Sequence, residues 1–173
     1  TTDLHHACTT LHTGTSASAP IAAAIVALTL EANPQLTWRD VQHLVVLTAN
    51  PAPFVHPEWV VNGDGRRVSL RFGFGLMDAG LMVQLARVWR TVPPLHTCRG
   101  PRQALNRALE SDAVVTLELH LDRTACQSAT EVVSWLEKVQ LHLDVDYSKR
   151  GSLKLVLESP SGTKSTLLPW RSY

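Results

Sequence analysis

The longest uninterrupted hydrophobic pattern lies near the start of the chain. Residues 21–30 read IAAAIVALTL, in which Thr29 is the only polar side chain. A helix with this pattern has no stripe that could face water, so the pattern predicts a helix buried on all sides. Proline suits a first helical turn, and glycine permits a tight backbone path into it. Pro20 is therefore predicted in the first turn of this helix, and Gly14 just before it.

Two further segments have the spacing of amphipathic helices. Thr37 is the predicted N-cap of the first, with Asp40 as the acidic residue of a capping box. The apolar face of this helix consists of Val41, Leu44, Val45 and Thr48. A third helix, ending near Arg90, is predicted from the apolar positions Leu76, Ala79, Val83, Ala86 and Val88. Both segments therefore indicate helices with one packed face.

The second half of the chain changes to the alternating pattern of strands. Residues 114–121, 139–147 and 153–157 each place their apolar side chains on one face. This alternation predicts half-buried antiparallel strands, with turns at residues 149–152 and 160–163. Helical spacing stops at Pro93 and Pro94. We therefore expect a domain boundary near residue 93.

A long connection, residues 50–71, joins the second and third predicted helices. Its prolines and the sequence NGDG at residues 62–65 predict an irregular surface excursion. The basic pair Arg66 and Arg67 follows directly. Such a pair is either a protease cleavage site or the solvated edge of a turn, and we favour the turn.

Composition narrows the class of protein but not its function. The chain has 173 residues, 45% of them hydrophobic, and a formal net charge of +1. These values are typical of a soluble globular protein with one or two domains, and they give no reason to expect a nucleic-acid partner. The apolar run around residues 19–30 is too short to span a bilayer, which favours a core helix.

Ser16 places a hydroxyl group at the start of the apolar helix. The first-turn amides of a helix lack intrahelical acceptors and lie at the positive end of its dipole, so they suit an anion such as the tetrahedral oxyanion of acyl transfer. Ser16 is accordingly either a nucleophile or simply an N-cap residue. A serine nucleophile also needs an imidazole to take its proton and a carboxylate to orient that imidazole.

Several stretches resemble one family. Residues 12–20, HTGTSASAP, resemble the serine motif of subtilisin-like proteases and, over the full stretch, that of the proprotein convertase (furin and kexin) branch. LTWRDVQHLVV at residues 36–46 and FGFGLMDAG at residues 72–80 resemble the same branch. KRGSLKLVLESPSGT at residues 149–163 resembles the first part of the convertase P domain.

The resemblance implies a fold of two incomplete domains. Residues 1–92 correspond to the C-terminal part of an α/β subtilisin-like catalytic domain, mostly helical here. Residues 93–173 correspond to the N-terminal part of an all-β sandwich, the P (Homo B) domain. The chain is thus expected to be a fragment of a longer protein.

The resemblance also implies an activity. Ser16 would be the catalytic nucleophile, and its backbone N–H one oxyanion donor, of a serine endopeptidase that cleaves precursor proteins after paired basic residues. The family works in the secretory pathway (trans-Golgi, membrane or secreted) and uses calcium. Its catalytic Asp and His and its calcium ligands precede the serine, and any membrane attachment would require regions outside this chain. We therefore expect the chain alone to be inactive.

Two other functions stay open. The chain could instead be a naturally short protein without catalytic activity that acts as an interaction module through its strand-rich half. A lipase-type hydrolase is weakened because the sequence around Ser16 lacks the second glycine of the GxSxG motif. Two residues that look catalytic in isolation are interpreted as structural: His43 as a helix-surface or partly packed residue, and Asp78 as a first-turn acid that complements the helix dipole.

The three cysteines, Cys8, Cys98 and Cys126, leave one unpaired in any scheme of disulfides. A zinc site that combines Cys8 and His12 with another histidine, His5 or His6, has loose spacing and one sulfur ligand, so no metal site is predicted. The resemblance implies a disulfide between Cys98 and Cys126. It also implies that the partner of Cys8 lies upstream, which leaves Cys8 unpaired by truncation. Disulfides of this kind indicate an oxidising compartment.

Overall fold

The computed structural model describes residues 1, 5–104, 108–121, 133 and 135–171. The chain divides into two compact units, Thr1–Pro93 with Pro160–Thr163, and Pro94–Ser159 with Lys164–Tyr173. The first unit contains α1 (Thr15–Ala32), α2 (Trp38–Thr48), β1 (Val60–Val61), β2 (Arg67–Val68) and α3 (Ala79–Val88). The second contains a 3-10 turn (Arg150–Ser152), β3 (Leu155–Glu158) and β4 (Lys164–Leu168).

Helix α1 begins earlier than its sequence predicts. Gly14 is the N-cap, with φ 111° and ψ 161°, and the helix starts at Thr15. Pro20 therefore lies inside the helix and not in its first turn, so that prediction was wrong. The ring removes one backbone donor, the amide that would otherwise bond to the carbonyl of Ser16. The remaining helical bonds carry α1 through the proline to Ala32.

Helix α1 is also far less buried than its sequence predicts. The structure describes every residue of α1, and of these only Thr29 is buried, its hydroxyl donating to the Ile25 carbonyl at 2.8 Å. The predicted burial on all sides was wrong because, of the described elements, only α3 packs extensively along α1. By length and composition alone, the 18 residues of α1 could cross a membrane. The prediction that the helix is too short to span a bilayer was based on residues 19–30 only.

Helix α2 confirms the predicted capping box. The Thr37 hydroxyl accepts a hydrogen bond from the Asp40 amide at 3.2 Å, and the Asp40 carboxylate accepts one from the Thr37 amide at 2.7 Å. Leu44 and Thr48 are buried, as the predicted apolar face requires.

Helix α3 holds the first unit together because it contacts both α1 and α2. The buried core consists of Leu36, Leu44, Met82 and Ala86. The Asn33 side chain, just after α1, donates to the Ala86 carbonyl at 2.9 Å. Asp78 precedes α3 as its N-cap and accepts from the Leu81 amide at 2.9 Å, instead of standing in the first turn as predicted.

The connection between α2 and α3 is more ordered than the predicted irregular excursion. Strands β1 and β2 pair antiparallel, Val60 with Val68 and Val61 with Arg67. Nearby, four aromatic rings form what we call the Phe72 cluster: Phe54, His56, Trp59 and Phe72. The ring centroids of the first three lie 4.6, 5.8 and 5.9 Å from that of Phe72. The excursion therefore has a small packed centre of its own.

In the second unit, β3 and β4 form a hairpin, of which the sequence predicted the first strand and the turn but not β4. They pair antiparallel, with Leu155 opposite Leu168 and Glu158 opposite Lys164, across a turn at residues 160–161. The predicted turn at residues 149–152 is the 3-10 turn Arg150–Ser152. These local features form because their partners are close in sequence.

The other two predicted strands are absent. Residues 114–121 and 139–147 are all described, and none of them belongs to a strand. Both segments are largely exposed, Val114 to 91% and Leu121 to 63%. Alternation yields a strand only where a partner backbone supplies ladder hydrogen bonds, and the described residues supply none there. The described part of this unit thus contains one hairpin, joined to segments that belong to no strand, rather than a sandwich.

Candidate active site

Ser16 is the second residue of α1, and its side chain is exposed. The N-cap position belongs to Gly14, which has no side chain to cover the helix end. The alternative interpretation of Ser16 as an N-cap is therefore wrong. The positive φ of Gly14 is the conformation that glycine adopts at little cost, and it brings the chain into α1 directly before the serine.

The Ser16 backbone and side chain are both available to a ligand. The Ala17 amide is satisfied by the Gly14 carbonyl at 3.0 Å. Among the described residues, neither the hydroxyl nor the amide of Ser16 has a hydrogen-bond partner. A hydroxyl that can attack and an amide at the positive end of a helix thus belong to one residue. That combination suits attack on a carbonyl and stabilisation of the resulting oxyanion.

The structure does not complete a catalytic triad around this serine. In the part of the chain that it describes, no histidine is hydrogen-bonded to Ser16. His12 precedes α1 and is exposed. His43 lies on α2, where its ring stacks beside Trp89 at a centroid distance of 6.4 Å. His43 is therefore a partly packed helix residue. Asp78 is occupied as the N-cap of α3.

The structure describes two of the three cysteines, Cys8 and Cys98. Cys8 is free and exposed, and Cys98 takes part in a disulfide. Cys126 lies outside the described residues, so its pairing with Cys98 stays a prediction. The described residues bring together no group of three or more His, Cys, Asp or Glu side chains that could hold a metal ion. Neither a zinc nor a calcium site is therefore formed by such groups in this part of the chain.

Asp40 is a buried carboxylate whose full role the sequence did not reveal. Besides its capping bonds, it accepts a bond from the Thr37 hydroxyl at 2.7 Å. It also accepts from the Trp89 indole N–H and from the Val92 amide, both at 2.8 Å. The neighbouring Arg39 guanidinium donates to the Pro93 carbonyl at 2.6 Å. Residues 39 and 40 thereby fix the segment that follows α3.

The hydrogen bonds determine the ionisation of Asp40. Burial alone would raise its pKa, but the bonds from Thr37, Val92 and Trp89 stabilise the charged form more strongly. The net effect lowers the pKa of Asp40 to about 2. Asp40 is therefore a permanently ionised structural group at neutral pH, and it has no opening toward a substrate.

A cavity of about 380 Å³ lies between α2 and α3, and Ser16 is not among the residues that line it. It is lined by Leu47, Thr48, Leu81, Gln84, Leu85 and Val88. These side chains include no acid, base or thiol. This space is an open groove with exposed apolar walls, and it offers no catalytic group.

The chain matches two families in succession. Residues 1–75 match the subtilase family, and residues 136–173 match the proprotein convertase P-domain. Ser16 and the start of α1 lie inside the first match. The β3–β4 hairpin lies inside the second. This order agrees with the resemblance of the individual motifs.

Individual relatives match nearly the whole chain. The sequence is 51% identical over 99% of the chain to "Endoprotease bli-4" of Caenorhabditis elegans, which it covers to 18%. It is 50% identical over 100% of the chain to "Furin" of Rattus norvegicus, covering 21% of it. It is 49% identical over 99% of the chain to "Proprotein convertase subtilisin/kexin type 4" of Mus musculus, covering 26%. The chain thus spans about a quarter or less of the length of these relatives. It belongs to the proprotein convertase branch of the subtilase family.

Proposed function

We propose that this chain is the serine-bearing part of an endopeptidase that cleaves precursor proteins after paired basic residues, with Ser16 as the nucleophile. One observation carries the proposal. Ser16 stands exposed at the start of α1, with its hydroxyl and amide unbonded among the described residues, inside the segment that matches the subtilase family. This arrangement gives one residue both a nucleophilic hydroxyl and a backbone N–H that can stabilise the developing negative charge.

The proposed chemistry is acyl transfer. The Ser16 oxygen attacks the scissile carbonyl while a histidine takes the hydroxyl proton, and the Ser16 amide donates to the oxyanion. The histidine then returns the proton to the leaving amine, and water releases the acyl group. The histidine and the aspartate that orients it are proposed to come from sequence that precedes Ser16 in the relatives.

The chain alone is proposed to be inactive. A serine hydroxyl at neutral pH is a weak nucleophile without an adjacent base. In subtilisin, the enzyme that gives the family its name, loss of the histidine lowers turnover by roughly a million-fold. No described histidine bonds to Ser16 here. An activity of the isolated chain above that of a Ser16→Ala variant would contradict this part of the proposal.

The second unit is proposed to be the beginning of a P-domain sandwich, to which the β3–β4 hairpin contributes two strands. The proposed boundary near residue 93 and the Cys98–Cys126 disulfide belong to the same assignment. We further propose passage through the secretory pathway. Calcium is expected of the family, but the described residues form no acidic group to hold it, so no step above uses it.

A peptide-cleavage assay tests the proposed specificity. The protein purified from its natural source is compared with this 173-residue chain on fluorogenic peptides that end in Arg-Arg, Lys-Arg, Ala-Arg or Arg-Ala before the reporter. We expect the natural protein to cleave only the two paired-basic peptides and the chain to cleave none. Equal cleavage of the Ala-Arg peptide would contradict paired-basic specificity. Absence of all cleavage by the natural protein would favour the non-catalytic interaction module.

A further inference from the structure

We propose that the basic pair Arg66–Arg67 is a masked cleavage site, closed to endoproteases that cut after basic pairs for as long as the β1–β2 hairpin is formed. The pair lies in the excursion between α2 and α3, remote in sequence from Ser16. The proposal treats this chain as a substrate. Only the identity of the natural protease rests on the proposed function.

The backbone of the pair is already committed to other bonds. A protease holds an extended substrate through main-chain hydrogen bonds of the β type. Here the Arg66 amide donates to the Asn62 side-chain oxygen at 2.9 Å, and the Arg66 carbonyl accepts from the Asn62 amide at 2.9 Å. Arg67 and Val68 pair with β1. The peptide groups on one side of the pair are therefore not free to bind a protease.

The two basic side chains are engaged as well. The Arg66 Nε donates to the Asp64 carboxylate at 2.8 Å. The Arg67 guanidinium lies 5.1 Å from the centroid of the Trp59 ring, a cation–π arrangement. A protease that recognises two cationic side chains would have to displace both contacts. Both side chains therefore lie at the protein surface, but their cationic groups are already engaged by Asp64 and Trp59.

The Phe72 cluster holds the mask in place. The Trp59 indole N–H donates to the Phe54 carbonyl at 2.9 Å, and its ring stacks on Phe72. The ring under Arg67 is therefore held by two contacts of its own. Each strand of the hairpin, however, has only two residues. A hairpin this short opens at far lower free energy than the whole unit unfolds, so the mask is conditional.

Opening exposes one particular bond. Hydrolysis of the Arg67–Val68 peptide bond consumes one water molecule and leaves a carboxylate on Arg67 and an amine on Val68. The cut falls inside β2 and separates α3 from α1, α2 and β1 along the chain. Local unfolding of the excursion would thereby be converted into an irreversible break in the first unit.

Limited proteolysis of the full 173-residue chain tests the mask. Trypsin, which cuts after any arginine, is used first, and fragments are identified by mass. The rate of cutting after Arg67 is divided by the rate after Arg99, which is exposed and lies outside every helix and strand. When the open form exchanges quickly, this ratio reports the fraction of hairpin that is open, and we expect about 0.1 or less.

Two substitutions of Asn62 distinguish local opening of the hairpin from unfolding of the whole first unit. Asn62→Ala removes the side-chain oxygen that accepts from the Arg66 and Asp64 amides, and we expect the ratio to rise about tenfold. Asn62→Asp keeps that oxygen and should leave the ratio near that of the unchanged chain. Cutting after Arg39, which is buried in α2, must stay slow in both variants. If it does not, Trp59→Phe and Trp59→Leu replace them as the matched pair.

Three results would overturn the proposal. One is a ratio near one in the unchanged chain, which would mean that the pair is open. Another is an unchanged ratio in both Asn62→Ala and Trp59→Leu. The third is that a paired-basic endoprotease fails to cut the opened Asn62→Ala chain after Arg67 while trypsin does. None of these measurements uses catalysis by Ser16, so a negative result would contradict the mask without contradicting the proposed function.

Discussion

At the scale of single residues, Asp40 connects two distant parts of the first unit. It bonds to Thr37, three positions away, in the capping box of α2. It also accepts from Trp89 and Val92, which lie 49 and 52 positions away and meet Asp40 only after α3 has packed. The capping bonds were therefore predictable from the sequence, and the bonds from Trp89 and Val92 were not. Ser16 itself was identified from its motif, but its place as the second helical residue required the structure.

Asp40 is expected to make the first unit acid-sensitive. Its folded pKa of about 2 is below the ordinary value of 3.8, so the stabilisation is present above pH 4 and is lost as the pH falls toward 2. The difference corresponds to about 2 kcal/mol of unfolding free energy at neutral pH. Asp40→Asn should lower stability by a similar amount and remove this pH dependence. Urea unfolding between pH 2 and 7, followed by Trp fluorescence, measures both.

The exposed Asp64 provides the control, because Asp64→Asn removes a carboxylate that is largely in water. That variant should unfold like the unchanged chain at every pH. If Asp40→Asn retained the same loss of stability between pH 4 and 2, other carboxylates would be responsible and the role given to Asp40 would be incorrect.

At the scale of secondary structure, prediction succeeded where the deciding contacts are local. The capping box of α2 and the β3–β4 turn both depend on neighbours within a few residues. The predicted face of α3 was only partly right: Ala86 is buried, but Leu76 and Val88 are exposed and Met82 is buried instead. The strands at residues 114–121 and 139–147 depend on distant partners, so alternation alone could not establish them. For α1, the apolar pattern correctly predicts a helix but not its burial. Burial requires other elements around the helix, and the described chain does not provide them.

The exposed side of α1 is expected to limit solubility. Ile21 and Leu28 are 65% and 50% exposed, whereas Ile25 packs against the core. Ile21→Lys and Leu28→Lys should therefore reduce self-association of the chain and leave its melting temperature nearly unchanged. Ile25→Lys should lower the melting temperature because it buries a charge against Met82 and its neighbours. Light scattering and thermal unfolding distinguish the two effects.

Aggregation that persists in the double variant Ile21→Lys/Leu28→Lys would mean that another surface drives association. A large loss of stability in that variant would mean that these two side chains are packed, in conflict with the exposed surface described for α1.

At the scale of the whole molecule, the chain joins two compact units, one with a serine at a helix start and one with a β-hairpin. The family could be predicted from short motifs, because HTGTSASAP places a distinctive set of small residues around Ser16, the proposed nucleophile. The activity could not be derived from the chain alone, since a triad is a spatial arrangement and the described residues provide only the proposed serine. Catalysis is therefore proposed to need Ser16 together with groups from outside the described residues.

Active-site labelling tests that central claim most directly. A phosphonate inhibitor carrying a paired-basic peptide is added to cells that make this protein and to the purified 173-residue chain, and antibodies to the chain recover the products. We predict label on Ser16, located by peptide mapping, in a band well above the 19.0 kDa of this chain, and none on the chain itself. Label on the 19.0 kDa band would contradict the account, as would a larger labelled band whose label is not on Ser16.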